Sequence, residues 1–166
     1  MSVELLKKIA LFRECSNPEL IKVSNLMQKV SFNRGDVVFR RGDSGDALYL
    51  IREGEMEVLA PSPEEEESED VVAVLKTGDL FGEMALVEGE PRSATVRART
   101  DAKLLRLQKD YFESLMSKEH EIALKIYRKL TTILSHRLRE TTERLAIANR
   151  IIRMVSRDVS KSGAKG

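Results

Sequence analysis

Apolar residues recur at Leu5, Leu6, Ile9 and Phe12 within residues 3–13, a helical spacing, so the chain opens on a short helix. Ser16-Asn17-Pro18-Glu19 then supplies a capping residue with proline at the first helical position, and LIKVSNLM keeps the helical period, so a second helix ends near Gln28. From residue 29 to 108 the period changes. Short β-branched and aromatic runs (VSF, VVF, ALYLI, MEVL, VVAVL, ATVRA, KLLRL) are separated by Gly-Asp or Asn-Arg-Gly turns. Seven or eight short strands at these intervals predict a barrel or jelly roll, the β part of an α+β, mainly β, fold.

Two segments depart from this texture. PSPEEEESED, residues 61–70, packs six acids into seven positions between MEVL and VVAVL. Like charges repel and prolines block pairing, so a solvated, mobile hairpin loop is expected, with an acidic docking site for a basic partner as the alternative. After Asp110-Tyr111-Phe112 the chain turns helical: Leu124, Tyr127, Thr131, Leu134, Leu138, Thr141, Leu145, Ala148, Ile152 and Val155 alternate at spacings of three and four. That is a sustained heptad seam on a helix of about 45 Å, longer than a small β domain can cover, so a parallel homodimer through this helix is expected, with a helix folded back onto its own domain as the alternative. The resulting organisation is a β domain with N-terminal helices over residues 1–118, a dimerisation helix over 119–158 and a disordered tail over 159–166.

The composition narrows the function. A net charge of +1 gives no overall attraction to nucleic acid, and Cys15 is the only thiol, which excludes an intrachain disulfide framework or cysteine metal site. His120 and His136 lack partners at metal-ligand spacing, so no metal is expected. No run of about 18 apolar residues and no signal-peptide core occurs, which predicts a cytoplasmic protein without a membrane span. No nucleophile–base pair, P-loop or kinase signature appears, so no catalytic residues and no enzyme are expected.

The chemistry concentrates in FGEMALVEGEPRSATV, residues 81–96, where Gly82-Glu83 precedes Pro91-Arg92 and two hydroxyls, Ser93 and Thr95. None of these polar groups is tolerated in a core without a partner. A glycine-led turn or short helix at 81–86 presents backbone N–H groups suited to a phosphate. Arg92 adds a guanidinium fork and Ser93 a hydroxyl to the same anion, while Glu83, an acceptor when ionised, suits a ribose hydroxyl. The stretch reads as a nucleotide pocket.

GDVVFRRGDSGDALYLIREGEMEV followed by FGEMALVEGEPRSATV resembles, in order and spacing, the cyclic nucleotide-binding domain family shared by bacterial catabolite-activator-type regulators, cyclic nucleotide-dependent kinases and gated channels. The resemblance covers about residues 10–145. It implies an eight-stranded β-roll flanked by helices, in which Glu83 takes the ribose 2′-hydroxyl, Gly82 with the backbone of Met84 and Ala85 lines sugar and phosphate, and Arg92 with Ser93 holds the cyclic phosphate. Ser93 resembles the serine of the bacterial activator, which implies cAMP, with cGMP as the alternative. SHRLRETTERL resembles the activator's dimer helix, which implies that Thr141 and Thr142 reach the adenine amino group, one from each subunit. A tolerated polar position in the seam is the other reading of Thr141.

The resemblance stops before any helix-turn-helix: SRDVSKSGAKG lacks apolar periodicity, so no DNA-binding domain is expected, and Arg150, Arg153, Arg157, Lys161 and Lys165 read as a solvated helix end that suits the helix dipole. The expected function is a stand-alone cyclic nucleotide sensor, without cofactor, that signals to an unidentified protein partner through its C-terminal helix. Its competitors are a ligand-silent β-roll interaction module and a DNA-associated regulator acting through the basic helix ends, which salt-dependent DNA binding would reveal.

Overall fold

The computed structural model describes residues 3–62 and 68–163. The first apolar stripe is not one helix. α1 (Val3–Lys8) stops at Ile9, whose backbone is extended, and a 3-10 turn at Ala10–Phe12 follows. On a continuous helix Leu11 would sit about 140° from Leu6; the break lets Leu6, Ile9, Leu11 and Phe12 all be buried. α2 (Asn17–Asn25) starts at the expected cap, where the Ser16 N–H donates to Glu19 Oε2 at 2.6 Å. It ends earlier than its period predicts, because Met27 and Gln28 pair opposite Leu107 and Arg106 and the sheet takes their backbone groups.

Eight strands follow: β1 (Met27–Phe32), β2 (Val37–Phe39), β3 (Ala47–Glu53), β4 (Met56–Pro61), β5 (Glu69–Leu75), β6 (Leu80–Phe81), β7 (Thr95–Ala98) and β8 (Ala102–Gln108). They form two four-stranded sheets of order β1-β8-β3-β6 and β2-β7-β4-β5, antiparallel throughout, the β-roll that the strand spacing predicts. β3 and β8 are inner strands, and all of residues 47–51 are buried, so β3 shows no polar alternation. Tyr49, Ile51, Met56, Phe81, Val96, Ala98 and Leu104 make one core cluster.

The strands reach into the acidic run. Pro61 pairs with Glu69 and Ala60 with Asp70, so Pro61, Glu69 and Asp70 are sheet residues; at Pro61 the strand is paired on one side only, because its pairing with β7 ends at Leu59. The remainder of the expected mobile loop, residues 63–67, lies outside the described residues.

The β6–β7 connection carries α3 (Glu83–Glu88), and α4 (Lys109–Lys118) leads to α5 (His120–Gly163). Contacts divide the chain into two compact units, residues 1–126 and 127–166. In the first unit, Ile122, Ala123 and Ile126 of α5 are buried, and Lys125 Nζ donates to Glu19 Oε1 at 2.8 Å. The second unit is the rest of α5. It remains helical through Gly163, five residues into the expected tail, since no proline interrupts it; residues 164–166 lie outside the described residues. Among the described residues no helix is long and apolar enough to cross a membrane.

Candidate functional site

The site is built where β6 runs out. Phe81 ends the strand, Gly82 turns the chain at φ +79°, and α3 begins at Glu83. Two constraints meet at Gly82. Its φ is in the left-handed region, and a Cβ there would lie 2.7 Å from Arg92 Nη1 and 3.0 Å from the Ala47 carbonyl oxygen. The first turn of α3 follows directly, and N–H groups of a first helical turn have no acceptor within their own helix.

Arg92 comes from the loop before β7. Its N–H donates to the Asp43 carbonyl at 2.8 Å and its carbonyl accepts from the Gly42 N–H at 2.9 Å, which ties the loop to the Gly42-Asp43 turn. The side chain is 1% exposed. Nη1 donates to the Gly82 carbonyl at 3.0 Å, and Nη2 donates to the Ala47 carbonyl at 2.8 Å and to Asp46 Oδ1 at 3.1 Å. The guanidinium carbon lies 4.1 Å from the centre of the Phe39 ring, a cation–π contact. Nε is also buried and makes no hydrogen bond. The same holds for Nε of Arg52 and Arg106, so what sets Arg92 apart is a side chain only 1% exposed and joined directly to the Gly82 turn.

Of the other expected site residues, Glu83 is buried at the start of α3, Met84 is exposed on it, and Ala85 lies within its backbone. Ser93 is exposed beside Arg92. The structure thus brings Gly82, Glu83, Met84 and Ala85 into one turn and joins Gly82 to Arg92 directly. Thr141 and Thr142 belong to the second unit, where their hydroxyls donate to the carbonyls of Arg137 and Leu138, each at 2.8 Å.

Aromatic rings form the floor behind Gly82. Phe81 stacks on Tyr49 at 5.2 Å between centroids, and Phe39 tilts against both at 5.8 and 6.0 Å. Burial pushes the Tyr49 phenol above its ordinary value, against the opposing pull of the neighbouring Arg106 guanidinium.

Sequence reasoning missed two partners of Arg92, Asp46 and Phe39, and the partners of Thr95. Asp46, at a Gly-Asp turn, accepts from Arg92 through Oδ1 and from Arg106 Nη2 through Oδ2 at 2.6 Å. Its carbonyl accepts from the Lys109 N–H at 2.8 Å, which anchors the turn to α4. The signal was present: a buried arginine requires an acid, and the Gly-Asp corners were the nearest supply. Thr95, buried in β7, accepts from the Arg41 N–H at 3.2 Å and donates to Glu69 Oε1 at 2.5 Å. Phe39, an ordinary strand residue by pattern, carries the cation–π contact. A cleft of about 430 Å³ opens beside Asp46, between the Ser44–Asp46 turn, the loop at 89–91 and the start of α4; its lining includes neither Glu83 nor Arg92.

Comparison with known proteins agrees with this architecture. The family profile for the cyclic nucleotide-binding domain matches residues 29–119. The chain is 35% identical over 111 residues to a cAMP-dependent protein kinase regulatory subunit of Emericella nidulans, covering 67% of this chain and 26% of that one. It spans about a quarter to a third of the length of such curated relatives. Among solved structures it is similar to a cyclic nucleotide-binding domain from Methylobacillus flagellatus KT, with TM-score 0.76, 30% identity and coverage of 86% of this chain and 79% of that one. It is also similar to the regulatory domain of Toxoplasma gondii PKA, determined with cAMP, with TM-score 0.61, 32% identity and coverage of 68% and 42%. With the β-roll, the glycine-led helix and the buried arginine in place, the matched profile shows that this chain belongs to the cyclic nucleotide-binding domain family.

Proposed function

We propose that this chain is a cyclic nucleotide sensor that binds cAMP at residues 81–96 and transmits the binding event through α5. The observation that carries the reading is Arg92, a fully buried guanidinium that donates to the Gly82 carbonyl beside the glycine-led first turn of α3. In this reading Arg92 and Ser93 hold the cyclic phosphate together with the backbone of Gly82, Met84 and Ala85, and Glu83 accepts from the ribose 2′-hydroxyl. The preference for cAMP is supported by Ser93 and by what two relatives are described as: a cAMP-dependent kinase subunit and a regulatory domain determined with cAMP. Thr141 and Thr142 are proposed for the adenine on the sequence resemblance alone. The chain acts as a binding module without a catalytic step, and its α5 seam joins two copies into a dimer.

Ligand acts by differential affinity: whichever helix position allows the fuller set of contacts gains population when nucleotide binds. The test is thermal unfolding of the protein with saturating cAMP, with cGMP and without ligand, repeated on Arg92→Ala. A ligand at about 100 times its dissociation constant adds roughly 2.7 kcal/mol, several degrees in a domain of this size. The expected result is a larger upshift with cAMP than with cGMP, lost in Arg92→Ala. The reverse order makes the site a cGMP site, and no shift with either overturns the reading in favour of a ligand-silent module.

A further inference from the structure

The far part of α5 carries more apolar surface than a dimer seam uses. Leu138, Leu145 and Ile152 occupy the seam, but Ile147, Ile151 and Met154 form a second stripe, 60%, 55% and 57% exposed. At 100° per residue, residues 145, 147, 148, 151, 152 and 154 together span about half the helix circumference, against the narrow strip of a two-stranded coil. The second stripe is therefore left over once the seam is closed. The same segment is one-sided in charge. Residues 144–157, RLAIANRIIRMVSR, hold four arginines and no acid. Arg150 and Arg153 are exposed and project about 140° and 80° round from Leu145, on the polar side of the stripe, whereas Arg144, at about 260°, stands at the N-terminal end of the apolar arc, before Ile147.

We propose that residues 144–157 of α5 dock on an anionic lipid surface, lying in the headgroup plane with Ile147, Ile151 and Met154 at the acyl boundary and Arg150 and Arg153 among the phosphates. Charge complementarity and the stripe's dimensions select this occupant. The stripe is about 10 Å long, roughly two turns. A partner helix needs matched apolar positions over three or four heptads, whereas hydrocarbon has no register to match and the arginines add attraction to acidic headgroups. Nucleic acid would use the charge and leave the isoleucines without a role. A basic helix with an apolar face is the composition of an interfacial helix, and no helix among the described residues is long and apolar enough to cross a bilayer.

The experiment is co-sedimentation of the full chain with vesicles of phosphatidylcholine alone and of equimolar phosphatidylcholine and phosphatidylglycerol. It is repeated on Ile147→Gln/Ile151→Gln and on Arg150→Gln/Arg153→Gln. The expected result is binding to the acidic vesicles only, weakened by salt, with each double variant lowering the partition ~10-fold. Glutamine is a good helix former, and circular dichroism checks that helicity is kept; if it is not, Ile147→Ala/Ile151→Ala takes its place. Three outcomes overturn the proposal: no binding to acidic vesicles, loss of binding in the arginine variant alone, or a smaller sedimenting species for the isoleucine variant without lipid. The last would assign the stripe to contact between copies.

Discussion

Arg92 Nη1 donates to the Gly82 carbonyl at 3.0 Å, and a Cβ placed on Gly82 would fall 2.7 Å from that same nitrogen. The two residues can hold this geometry only because one of them has no side chain. Gly82→Ala is accordingly expected to displace the guanidinium as well as to strain the turn at φ +79°. The strain alone costs about 1–2 kcal/mol. Urea unfolding should show that loss, and calorimetry should show cAMP binding weakened beyond what the stability loss explains.

Asp46 bridges two arginines, one of them fully buried, while its own carboxylate is 58% exposed. Asp46→Ala leaves Arg92 held by two neutral carbonyls and Arg106 without this partner. Because solvent already screens the carboxylate, the cost is expected at about 1–2 kcal/mol, below that of breaking a buried pair. A lower urea midpoint with an unchanged slope would agree; an unchanged midpoint would show that the carbonyls alone hold Arg92.

Glu19 predicts an acid limb. The hydrogen bond from Lys125, and after it the bond from the Ser16 N–H, hold its carboxyl below the ordinary carboxylate range. The hydrogen bond from Glu19 in turn raises Lys125. For a depressed acid, the unfolded chain takes up the proton first. This contribution is thus complete above the unfolded value, about 4.3, and is lost as pH falls through the lower folded value. The raised lysine contributes fully below its unfolded value of about 10.4 and loses its share as pH rises past the folded one. Thermal midpoints measured across pH should show both limbs, and Glu19→Gln should flatten the acid one.

Leu138 and Leu145 are 69% and 60% exposed on one side of α5. If two copies close that seam, Leu138→Lys/Leu145→Lys puts like charges at its centre. Sedimentation equilibrium should then give the mass of a monomer where the parent gives a dimer, with the β-roll's melting transition retained. A parent that is monomeric at all concentrations would remove the dimer from the proposed function.

Turn glycines, alternating strands and the heptad period are local properties, and from them the order of the elements and the mainly β fold were legible. So were the residue types in 81–96, because Gly82, Glu83, Arg92 and Ser93 are close in sequence. The local period misled where a long-range ladder competed for the same backbone, as at Met27 and Gln28, which β8 takes from the end of α2. It misled again at Ile9, where burying Leu11 needed a break. β6, only two residues long, has no period at all; it exists because Tyr49 and Leu50 pair with it.

The sequence by itself determined which chemical groups the candidate site owns and that they stand on a glycine-led turn. Only the tertiary structure decided what Arg92 does there, because its partners Asp46, Ala47 and Phe39 lie 45 or more residues upstream and reach it only when the two sheets close. A pattern reports which side of an element seeks burial. Which charge a buried guanidinium meets depends on where distant turns arrive, and that follows from packing.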